Sequence, residues 1–463
     1  MPLTEQQLPS KIDLLIRNAV IITMDLKNSV IENGFIAITG NQITNIGQDK
    51  SIDLSKYDVK RSIDLHGSIV HPGYIDSHIH LLYQPLRWVQ KDGIHASDAM
   101  SVHSEYLNNI TPEIEELSYQ LASLEMAHNG TTCFLEANVI DTNIAASAIE
   151  KIGIRAVIGT PGIKDIYEEN SYFGPIKFST NRAFDLIDRE LTRNQNKNAL
   201  VQGAISLHGM GTASDELLLH AKSIADKNNV IINMHQSYAE DDTASDYNRF
   251  NQHPMIHYEE IGFLGSNCTF AHVNFVREEE ISPILKSGCS IAWCPLGSMM
   301  YGIGGTTEGK HSELYKKGAQ ISLGSDSANW TTSFDIGNQA LIAILTAREK
   351  TKRPDALLAE DGLIMATKNG ARALGLENKI GSLEIGKKAD LIIRKNNLPE
   401  MFPQTDPIRS VIYSGKSSIQ SVLVDGNFIV DNGKSTLIDE NELYYKVNNL
   451  KKKYPFYEAL FIE

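Results

Sequence analysis

Hydrophobic and polar positions follow two different patterns along the chain. Near both ends, short runs rich in β-branched residues lie between Gly and Asn turns, which is typical of strands. The N-terminal runs are "DLLIRNAVIITMD", "GFIAITGNQITNIG" and "RSIDLHGSIVHPG". The C-terminal stretches "GSLEIGKKADLIIRK" and "SVIYSGKSSIQSVLVDGNFIVDNGK" have the same pattern, with Asp-Gly and Asn-Gly turns. We therefore expect the two ends to form one small β-sandwich-like module.

The middle of the chain alternates short apolar runs with longer segments of helical periodicity. Eight candidate strands follow one another, namely the one that ends at His80, then "TTCFLEA", "IRAVIGT", "ALVQGAISLHG", "VIINMHQS", "CTFAHV", "SIAWCP" and "AQISLGSD". Strands that alternate with helices in this way predict an α/β fold, a (β/α)8 TIM barrel. We expect the composite β module over residues 1–70 plus 381–440, the barrel over 71–380, and a C-terminal helical segment over 441–463.

Composition narrows the class of protein. The 463 residues are 42% hydrophobic and 22% charged, as in soluble globular proteins, and no apolar stretch approaches the ~20 residues of a membrane helix. The first residues do not resemble a secretion signal, and the four cysteines show no C-x-x-C pairing, so we expect reduced thiols and a cytoplasmic location. A net charge of -14 disfavours nucleic acid as a partner and favours a small molecule.

Polar side chains follow the apolar runs where the barrel strands should end. His78 and His80 follow the first strand, and later strand ends carry four more such residues, His208, His235, His272 and Asp326. In "PGYIDSHIHLL" the first two histidines lie on one face of an extended chain, and in a TIM barrel all strand ends meet at one mouth. The alternative is that each histidine has a separate structural role and bonds only to the backbone. This alternative would explain any single histidine, but it does not explain why all of these residues stand at equivalent strand ends. Imidazole and carboxylate together suit Zn²⁺ or Fe²⁺.

Six stretches, in this order and spacing, give the chain a family resemblance. It resembles the amidohydrolase superfamily, in the branch that contains cytosine, guanine and adenosine-type deaminases and the triazine hydrolases. The stretches are "PGYIDSHIH", "LHGMGTASDELL", "MHQSYAED", "CTFAHVNFVREEEI", "LGSDSANW" and "IGSLEIGKKADLII". The resemblance covers nearly the whole chain, including the split β module, and it implies a homo-oligomer, with a homodimer favoured.

The resemblance also implies roles for single residues. His78, His80, His235 and Asp326 would bind one divalent metal ion, zinc being favoured over iron. His272 and Asp326 would be the catalytic residues, the histidine beside the attacking water and the aspartate as acceptor of its proton. Substrate contacts would come from the first loop and the fourth strand, through Gln84, Arg87 and His208. No lysine stands at the fourth strand end to bridge two ions, so a single ion is expected.

The chain departs from the deaminase pattern after the fifth strand. Deaminases of this branch usually have a glutamate three residues after the fifth-strand histidine, and here that residue is Tyr238. A phenol of pKa ~10 donates a hydrogen bond but transfers a proton poorly near neutrality. Glu240, two residues later, is the second candidate for this contact with the substrate. Ser298 is a further departure, since the family commonly has asparagine there.

These observations predict a metal-dependent hydrolase that acts on a carbon–nitrogen, non-peptide bond of a small N-heterocyclic or urea-like substrate. Metal-activated water would be the nucleophile, as in a deaminase or amidohydrolase. Displacement of chloride from a triazine-like ring stays open as an alternative. A non-catalytic scaffold protein is the other alternative, which the complete set of candidate ligands disfavours. Cys294 lies in an apolar run, and we expect it in the core rather than at a metal.

Overall fold

A computed structural model describes residues 11–89, 91–137, 139–159, 163–165 and 179–454. Residues 1–10 and 455–463 of the predicted domains lie outside the described residues. The strands are β1 (Lys11–Ile12), β2 (Leu14–Ile22), β3 (Val30–Thr39), β4 (Gln42–Gln48), β5 (Asp58–Val59), β6 (Ser62–Asp64), β7 (Ile69–Pro72), β8 (Tyr74–His80), β9 (Thr131–Glu136), β10 (Arg155–Gly159), β11 (Val201–Gly209), β12 (Ile232–Gln236), β13 (Cys268–His272), β14 (Ser290–Trp293), β15 (Gln320–Leu323), β16 (Asp326–Ser327), β17 (Leu391–Arg394), β18 (Ile419–Val424), β19 (Asn427–Asp431) and β20 (Lys434–Ser435).

Helices connect the central strands. In chain order they are α1 (Ala96–Asn109), α2 (Pro112–His128), α3 (Thr142–Ile152), α4 (Thr180–Leu191), α5 (Asp215–Asn228), α6 (Glu240–Phe250), α7 (Pro254–Glu260), α8 (Ile281–Ser287), α9 (Pro295–Met300), α10 (Gly305–Glu308), α11 (His311–Lys316), α12 (Ile336–Thr351), α13 (Ala359–Ala366), α14 (Lys368–Ala373), α15 (Pro407–Tyr413) and α16 (Glu440–Lys453). Their ends follow local signals. The Ser214 hydroxyl accepts from the Leu217 N–H to begin α5, and Gly153 ends α3 at φ 79°. None of the described helices is long and apolar enough to cross a membrane.

The central sheet closes into the predicted barrel. Strands β8 to β15 pair in parallel with their neighbours in chain order, which matches the eight predicted strands. Two residues after β15 the chain pairs again as β16, whose Asp326 lies opposite Ile79 of β8. Because β15 pairs β14 and β16 pairs β8, these two segments act as one eighth strand that closes the ring. The predicted TIM-barrel fold is therefore confirmed.

The strands from the two chain ends form a second sheet, as predicted. Its nine strands run in the order β20-β19-β18-β17-β7-β2-β3-β4, with β6 added beside β2. Strand β7 pairs antiparallel with β17, so that Pro72 lies opposite Leu391. Only Gly73 separates β7 from β8, and a Cβ atom placed on it would lie 2.0 Å from the Thr132 hydroxyl. The end sheet therefore continues directly into the first strand of the barrel.

A buried guanidinium joins the two sheets. Arg394 of β17 donates from Nε to His71 Nε2 at 2.9 Å and from Nη2 to the Tyr74 hydroxyl at 2.7 Å. Its Nη1 donates to the Gly415 carbonyl and the Ser418 hydroxyl. These five residues are called the Arg394 network below. All of its acceptors are uncharged, and Arg394 is only 1% exposed.

Candidate active site

Four of the predicted side chains converge at the carboxyl ends of the barrel strands. His78 and His80 end β8, His235 lies in β12, and Asp326 begins β16. The Nε2 atoms of His80 and His235 are 3.2 Å apart, and Asp326 Oδ1 lies 3.8 Å from His80 Nε2. The rings of His78 and His235 meet edge to face at 4.8 Å. The sequence prediction that these residues meet at one mouth is correct.

This cluster has the chemistry of a cation site. Two nitrogens on one tetrahedral zinc ion stand about 3.3 Å apart, close to the separation of the His80 and His235 nitrogens. One donor atom each from His78, His80 and Asp326 lies within 4.8 Å of the others. Among the described residues, the buried His78 Nε2 and His80 Nδ1 have no hydrogen-bond partner. The residues present therefore fit a divalent metal ion.

Burial sets the charge state of the cluster. It lowers the pKa of His78, His80 and His235, so the imidazoles are neutral and offer lone pairs. The same burial raises the pKa of Asp326 to about 7, against a hydrogen bond from the Ser327 N–H that lowers it. A nearby cation would favour the ionised carboxylate. The site is thus electrostatically prepared for positive charge.

Neighbouring groups fix the orientation of the histidines. His235 Nδ1 lies 2.8 Å from the His208 carbonyl, which assigns the proton to Nδ1 and turns the Nε2 lone pair toward His80. Asp76 accepts from the backbone N–H groups of His78 and Ser325, at 3.2 and 3.1 Å, and so ties β8 to the turn before β16. These contacts position the candidate ligands.

The backbone is strained at the same strand ends. His272 has φ 73°, Val273 φ 52° and Asp326 φ 64°, in the left-handed region that L-residues rarely adopt. His311 donates from Nε2–H to the His272 carbonyl at 2.7 Å and so supports the strained segment. Strain of this kind persists where surrounding contacts over-determine it, commonly at functional sites.

His272 lies beside the cluster, where the sequence predicts the catalytic histidine. Its ring is 5.2 Å from that of His78 and 5.7 Å from that of His235. Cys294, expected only as a core residue, is buried but also has its sulfur within 4.8 Å of donor atoms of His272 and Asp326. Burial raises the pKa of this thiol. The position of Cys294 directly after β14 was the signal that it could face the barrel mouth.

Tyr238 and Glu240 have different surroundings. The Tyr238 ring packs against His272 at 4.8 Å, and its hydroxyl accepts from Trp330 Nε1 at 2.8 Å. Glu240 is exposed as the first residue of α6, and no contact in the described part of the chain links its carboxylate to the histidines. The structure therefore brings Tyr238, and not Glu240, together with the cluster.

Gln84 and Arg87, the two predicted residues of the first loop, also have different surroundings. Gln84 is half-buried in the short turn Leu81–Leu86 that follows His80. Arg87 donates to Glu125 at 2.6 Å and lies over the Phe334 ring at 4.8 Å. Its charge is thus paired with a carboxylate of α2. A partner 38 residues away gives no local signal in the sequence.

His208 lies at the side of the cluster. Its ring is 5.6 Å from that of His235. Burial and the neighbouring His235 lower its pKa, and the buried Lys164 lowers it further. The histidine predicted to contact substrate is therefore adjacent to the candidate metal ligands.

A buried aromatic wall borders the cluster. His103 of α1 stacks on Tyr83 at 4.1 Å with 7° between the planes, and Tyr83 lies 6.1 Å from His80. Trp330 lies 5.4 Å from His103 and 4.2 Å from Tyr301. Trp330 and Trp88 both follow strand ends in the sequence, but Trp330 is buried in the wall whereas Trp88 is 64% exposed. The wall suits a planar ring.

Comparison with known proteins identifies the family. The sequence pattern of the amidohydrolase family matches residues 69–429. A 5-methylthioadenosine/S-adenosylhomocysteine deaminase of Thermodesulfovibrio yellowstonii is 30% identical over 438 residues, covering 93% of this chain and 96% of that protein. A 5'-deoxyadenosine deaminase of Methanobrevibacter smithii is 28% identical over 448 residues, covering 94% and 96%.

Solved structures share the fold. An adenosine deaminase from Xanthomonas campestris with bound zinc superposes with a TM-score of 0.88 at 22% identity, covering 97% of this chain and 100% of that one. An atrazine chlorohydrolase from Arthrobacter aurescens, complexed with zinc, gives 0.86 at 21% identity, covering 94% and 99%. The matched pattern and the relatives agree with the resemblance drawn from the six stretches. The chain belongs to the amidohydrolase family and is a metal-dependent hydrolase of carbon–nitrogen bonds other than peptide bonds.

Proposed function

We propose that this hydrolase removes the amino group from a planar nitrogen heterocycle of the 6-aminopurine nucleoside class, with one zinc ion. The observation that carries the proposal is the convergence of His78, His80, His235 and Asp326 beside a buried aromatic wall. The names of the relatives, which are deaminases of adenine nucleosides, support the substrate class. The three histidines and Asp326 would hold the ion.

A zinc ion in such a site supplies a Lewis acid that makes water a nucleophile at neutral pH. Asp326 would accept the proton that the water loses, because its carboxylate lies beside the histidines that would hold the ion. His272, neutral and held by its packing against Tyr238, orients the water and stabilises the developing oxyanion. The two residues lie at strand ends on either side of β14.

The heterocycle would lie against Trp330 and the stacked pair of Tyr83 and His103. Apolar ring faces of this kind exclude water and favour a planar substrate. Gln84 and His208 border the same mouth and are the polar groups proposed to read the substrate edge. Arg87 would be a third polar group here: its Nη1 is paired with Glu125, whereas its buried Nε and Nη2 have no hydrogen-bond partner among the described residues.

Proton delivery to the leaving nitrogen would differ from that in deaminases with a glutamate. The Tyr238 hydroxyl accepts from Trp330 Nε1, and its own O–H would be the group that donates to the substrate. The phenol then polarises the ring nitrogen by a hydrogen bond, and the proton held by Asp326 passes to the leaving amine. Glu240 is not needed in this scheme.

A second candidate is displacement of chloride or an alkylamine from a triazine-like ring. The observation that favours loss of chloride is the phenol at position 238, because chloride leaves without a proton and so needs no shuttle there, whereas an alkylamine would take its proton from Asp326 as ammonia does. The scaffold alternative loses support from the convergence of three histidines and Asp326, since a protein without catalysis has no need of a complete set of candidate ligands.

The test measures product release from a panel of 6-aminopurine nucleosides, aminopyrimidines, chlorotriazines and aryl ureas by the zinc-loaded protein. Ammonia, alkylamine and chloride are assayed separately, with the Asp326→Asn protein as the blank. We expect ammonia from the purine nucleosides. Chloride or alkylamine without ammonia would support the second candidate, and no product from any compound would refute both.

We also propose that the protein works in the cytoplasm. The four cysteines are free and buried, as expected of a reducing compartment.

A homo-oligomer, with a homodimer favoured, remains a prediction from the family resemblance, and sedimentation analysis of the zinc-loaded protein would test it. The division into a β module, a barrel and a C-terminal helical segment is likewise proposed, and limited proteolysis would test its boundaries.

A further inference from the structure

A second set of donor atoms adjoins the proposed zinc ligands. A ring nitrogen of His272, the sulfur of Cys294 and a carboxylate oxygen of Asp326 lie within 4.8 Å of one another, and all three residues are buried. They come from the ends of consecutive barrel strands, β13, β14 and the β15–β16 pair. We propose that this trio is a second cation site, for a thiophilic divalent ion such as Zn²⁺ or Cd²⁺, which shares Asp326 with the first.

The two oxygens of Asp326 face different sides. Oδ1 lies 3.8 Å from His80 Nε2, on the side of the first site. Oδ2 faces Gly297, where an added Cβ atom would lie 2.9 Å from it and 3.6 Å from the Cβ of Cys294. Oδ2 and Cys294 therefore border the same space. A carboxylate oriented in this way can bridge two ions.

Two glycines pack closely against these donors. A Cβ atom placed on Gly324 would lie 2.8 Å from the Cys294 sulfur, and one on Gly297 would lie 2.9 Å from Asp326 Oδ2, so the backbone borders the trio on this side. Donors on one tetrahedral zinc ion stand about 3.3 to 3.8 Å apart, given bond lengths near 2.0 Å to nitrogen or oxygen and 2.3 Å to sulfur. The trio, whose donor atoms lie within 4.8 Å of one another, would close to that range as the ion binds.

The sulfur has only a weak competing contact. The Cys294 thiol donates to the Ala292 carbonyl at 3.7 Å. Binding of a divalent ion replaces the thiol proton, which leaves to solvent, so the step needs no oxidant or reductant. Thiolate favours soft ions over Mg²⁺ or Ca²⁺. Cys133 is also free and buried, but it belongs to no such donor set among the described residues, which makes it a matched control.

A second ion would inhibit the enzyme. It would occupy His272 and one oxygen of Asp326, the two groups that bind the nucleophile and accept its proton, and this consequence rests on the proposed function. Activity should therefore rise as the first equivalent of zinc binds and fall as the second binds. The binding itself does not depend on the identity of the substrate.

The first experiment titrates the full-length, metal-free protein with Cd²⁺ and records both bound ions per chain and the ultraviolet thiolate-to-cadmium absorption. We expect two ions per chain and one thiolate band in the wild type and in Cys133→Ser. Cys294→Ser and Cys294→Ala should bind one ion and show no band, with unchanged circular dichroism. One ion per wild-type chain, or a band that persists without Cys294, would overturn the proposal.

The second experiment follows turnover against zinc concentration. Wild type and Cys133→Ser should lose activity above one equivalent, whereas Cys294→Ser should need at least tenfold more zinc for the same loss. Equal inhibition of all three proteins would contradict the shared site. If no substrate is turned over, the proposed function fails, while the cadmium titration still decides whether the second site exists.

Discussion

Two buried polar regions of this molecule differ in how their polar atoms are satisfied. In the Arg394 network, every guanidinium nitrogen donates to a nearby acceptor. At the barrel mouth, by contrast, ring nitrogens of His78 and His80 have no hydrogen-bond partner in the part of the chain that the structure describes, and the backbone at Asp326 has φ 64°. Buried polar groups are nearly always paired in native proteins. The Arg394 network is therefore satisfied within the fold, whereas the barrel mouth combines unpaired ring nitrogens with strained backbone, as sites that bind ligands commonly do.

We expect the Arg394 network and the cluster at the barrel mouth to respond differently to mutation. Loss of a member of the Arg394 network leaves acceptors unpaired and should cost stability. Loss of a member of the metal cluster removes a buried group that has few partners and should cost mainly activity and metal affinity. Four predictions test this contrast, in order of expected size.

The largest effect is expected for Asp326→Asn. The amide cannot accept the proton and is a poor ligand, so kcat/KM should fall about a thousandfold or more, equivalent to about 4 kcal/mol of transition-state stabilisation. Steady-state kinetics and zinc content would be measured together, with the exposed Asp355→Asn as control. Retained activity with an unchanged metal content would refute the role of Asp326.

Arg394→Met should instead destabilise the fold. It leaves His71, Tyr74 and Ser418 without their donor, which we expect to lower the free energy of unfolding by about 3 kcal/mol. Denaturant unfolding would measure the loss, and turnover per folded molecule should be unchanged. Arg353→Met, which removes only an exposed ion pair, should leave the unfolding midpoint in place. If Arg394→Met were as stable as wild type, the Arg394 network would not have the stabilising role that distinguishes it from the cluster at the barrel mouth.

The stability that the Arg394 network contributes should depend on pH. His71 Nδ1 donates to the Pro72 carbonyl and Nε2 accepts from Arg394, so burial and the adjacent charge hold its pKa well below 6.5. Below about pH 6.5 the unfolded chain then binds one more proton than the folded chain. The free energy of unfolding therefore falls by about 1.4 kcal/mol for each pH unit of acidification below that value.

His71→Gln would remove that dependence while keeping an acceptor for Arg394. We expect the difference in unfolding free energy between pH 7 and pH 5 to shrink by about 2 kcal/mol relative to wild type. Parallel pH profiles for the two proteins would show that His71 is not held neutral by the fold.

The smallest effect is expected for Tyr238→Phe. Ring packing against His272 is kept and only the hydroxyl is lost, so kcat should fall about tenfold, equivalent to about 1.4 kcal/mol, with little change in zinc content. Glu240→Gln is the control and should match wild type, because its side chain is exposed. Unchanged turnover in Tyr238→Phe would remove the phenol from proton delivery.

Local signals in the sequence were enough to predict the fold and the convergence of the candidate metal ligands at one end of the barrel. Short apolar runs, each followed directly by His or Asp, predicted the strands and which ends meet, because barrel geometry brings those ends together. The partners of Arg87 and His103 were not predictable in this way. Arg87 pairs with α2, and His103 meets Asn329 across 226 residues, so only the closed barrel brings them together.

Cys294 shows a second limit of sequence reasoning. Its apolar neighbours correctly indicated burial, yet burial did not distinguish the core from the barrel mouth. Glu240 shows the opposite limit. Its spacing from His235 suggested a carboxylate near the site, whereas the start of α6 directs the residue to solvent. In both cases the deciding fact was the direction of a side chain at an element boundary.

The pairing of β7 with β17 has a consequence for synthesis of the chain. One edge of β7 can pair with β2 early, but its other partner begins at Leu391, about 300 residues later. At about 5 to 20 residues per second on the ribosome, that edge stays open for roughly 15 to 60 s. An open apolar edge is a site of aggregation and of chaperone binding. The strand that leads into the candidate active site is therefore among the last to be enclosed as the nascent chain folds.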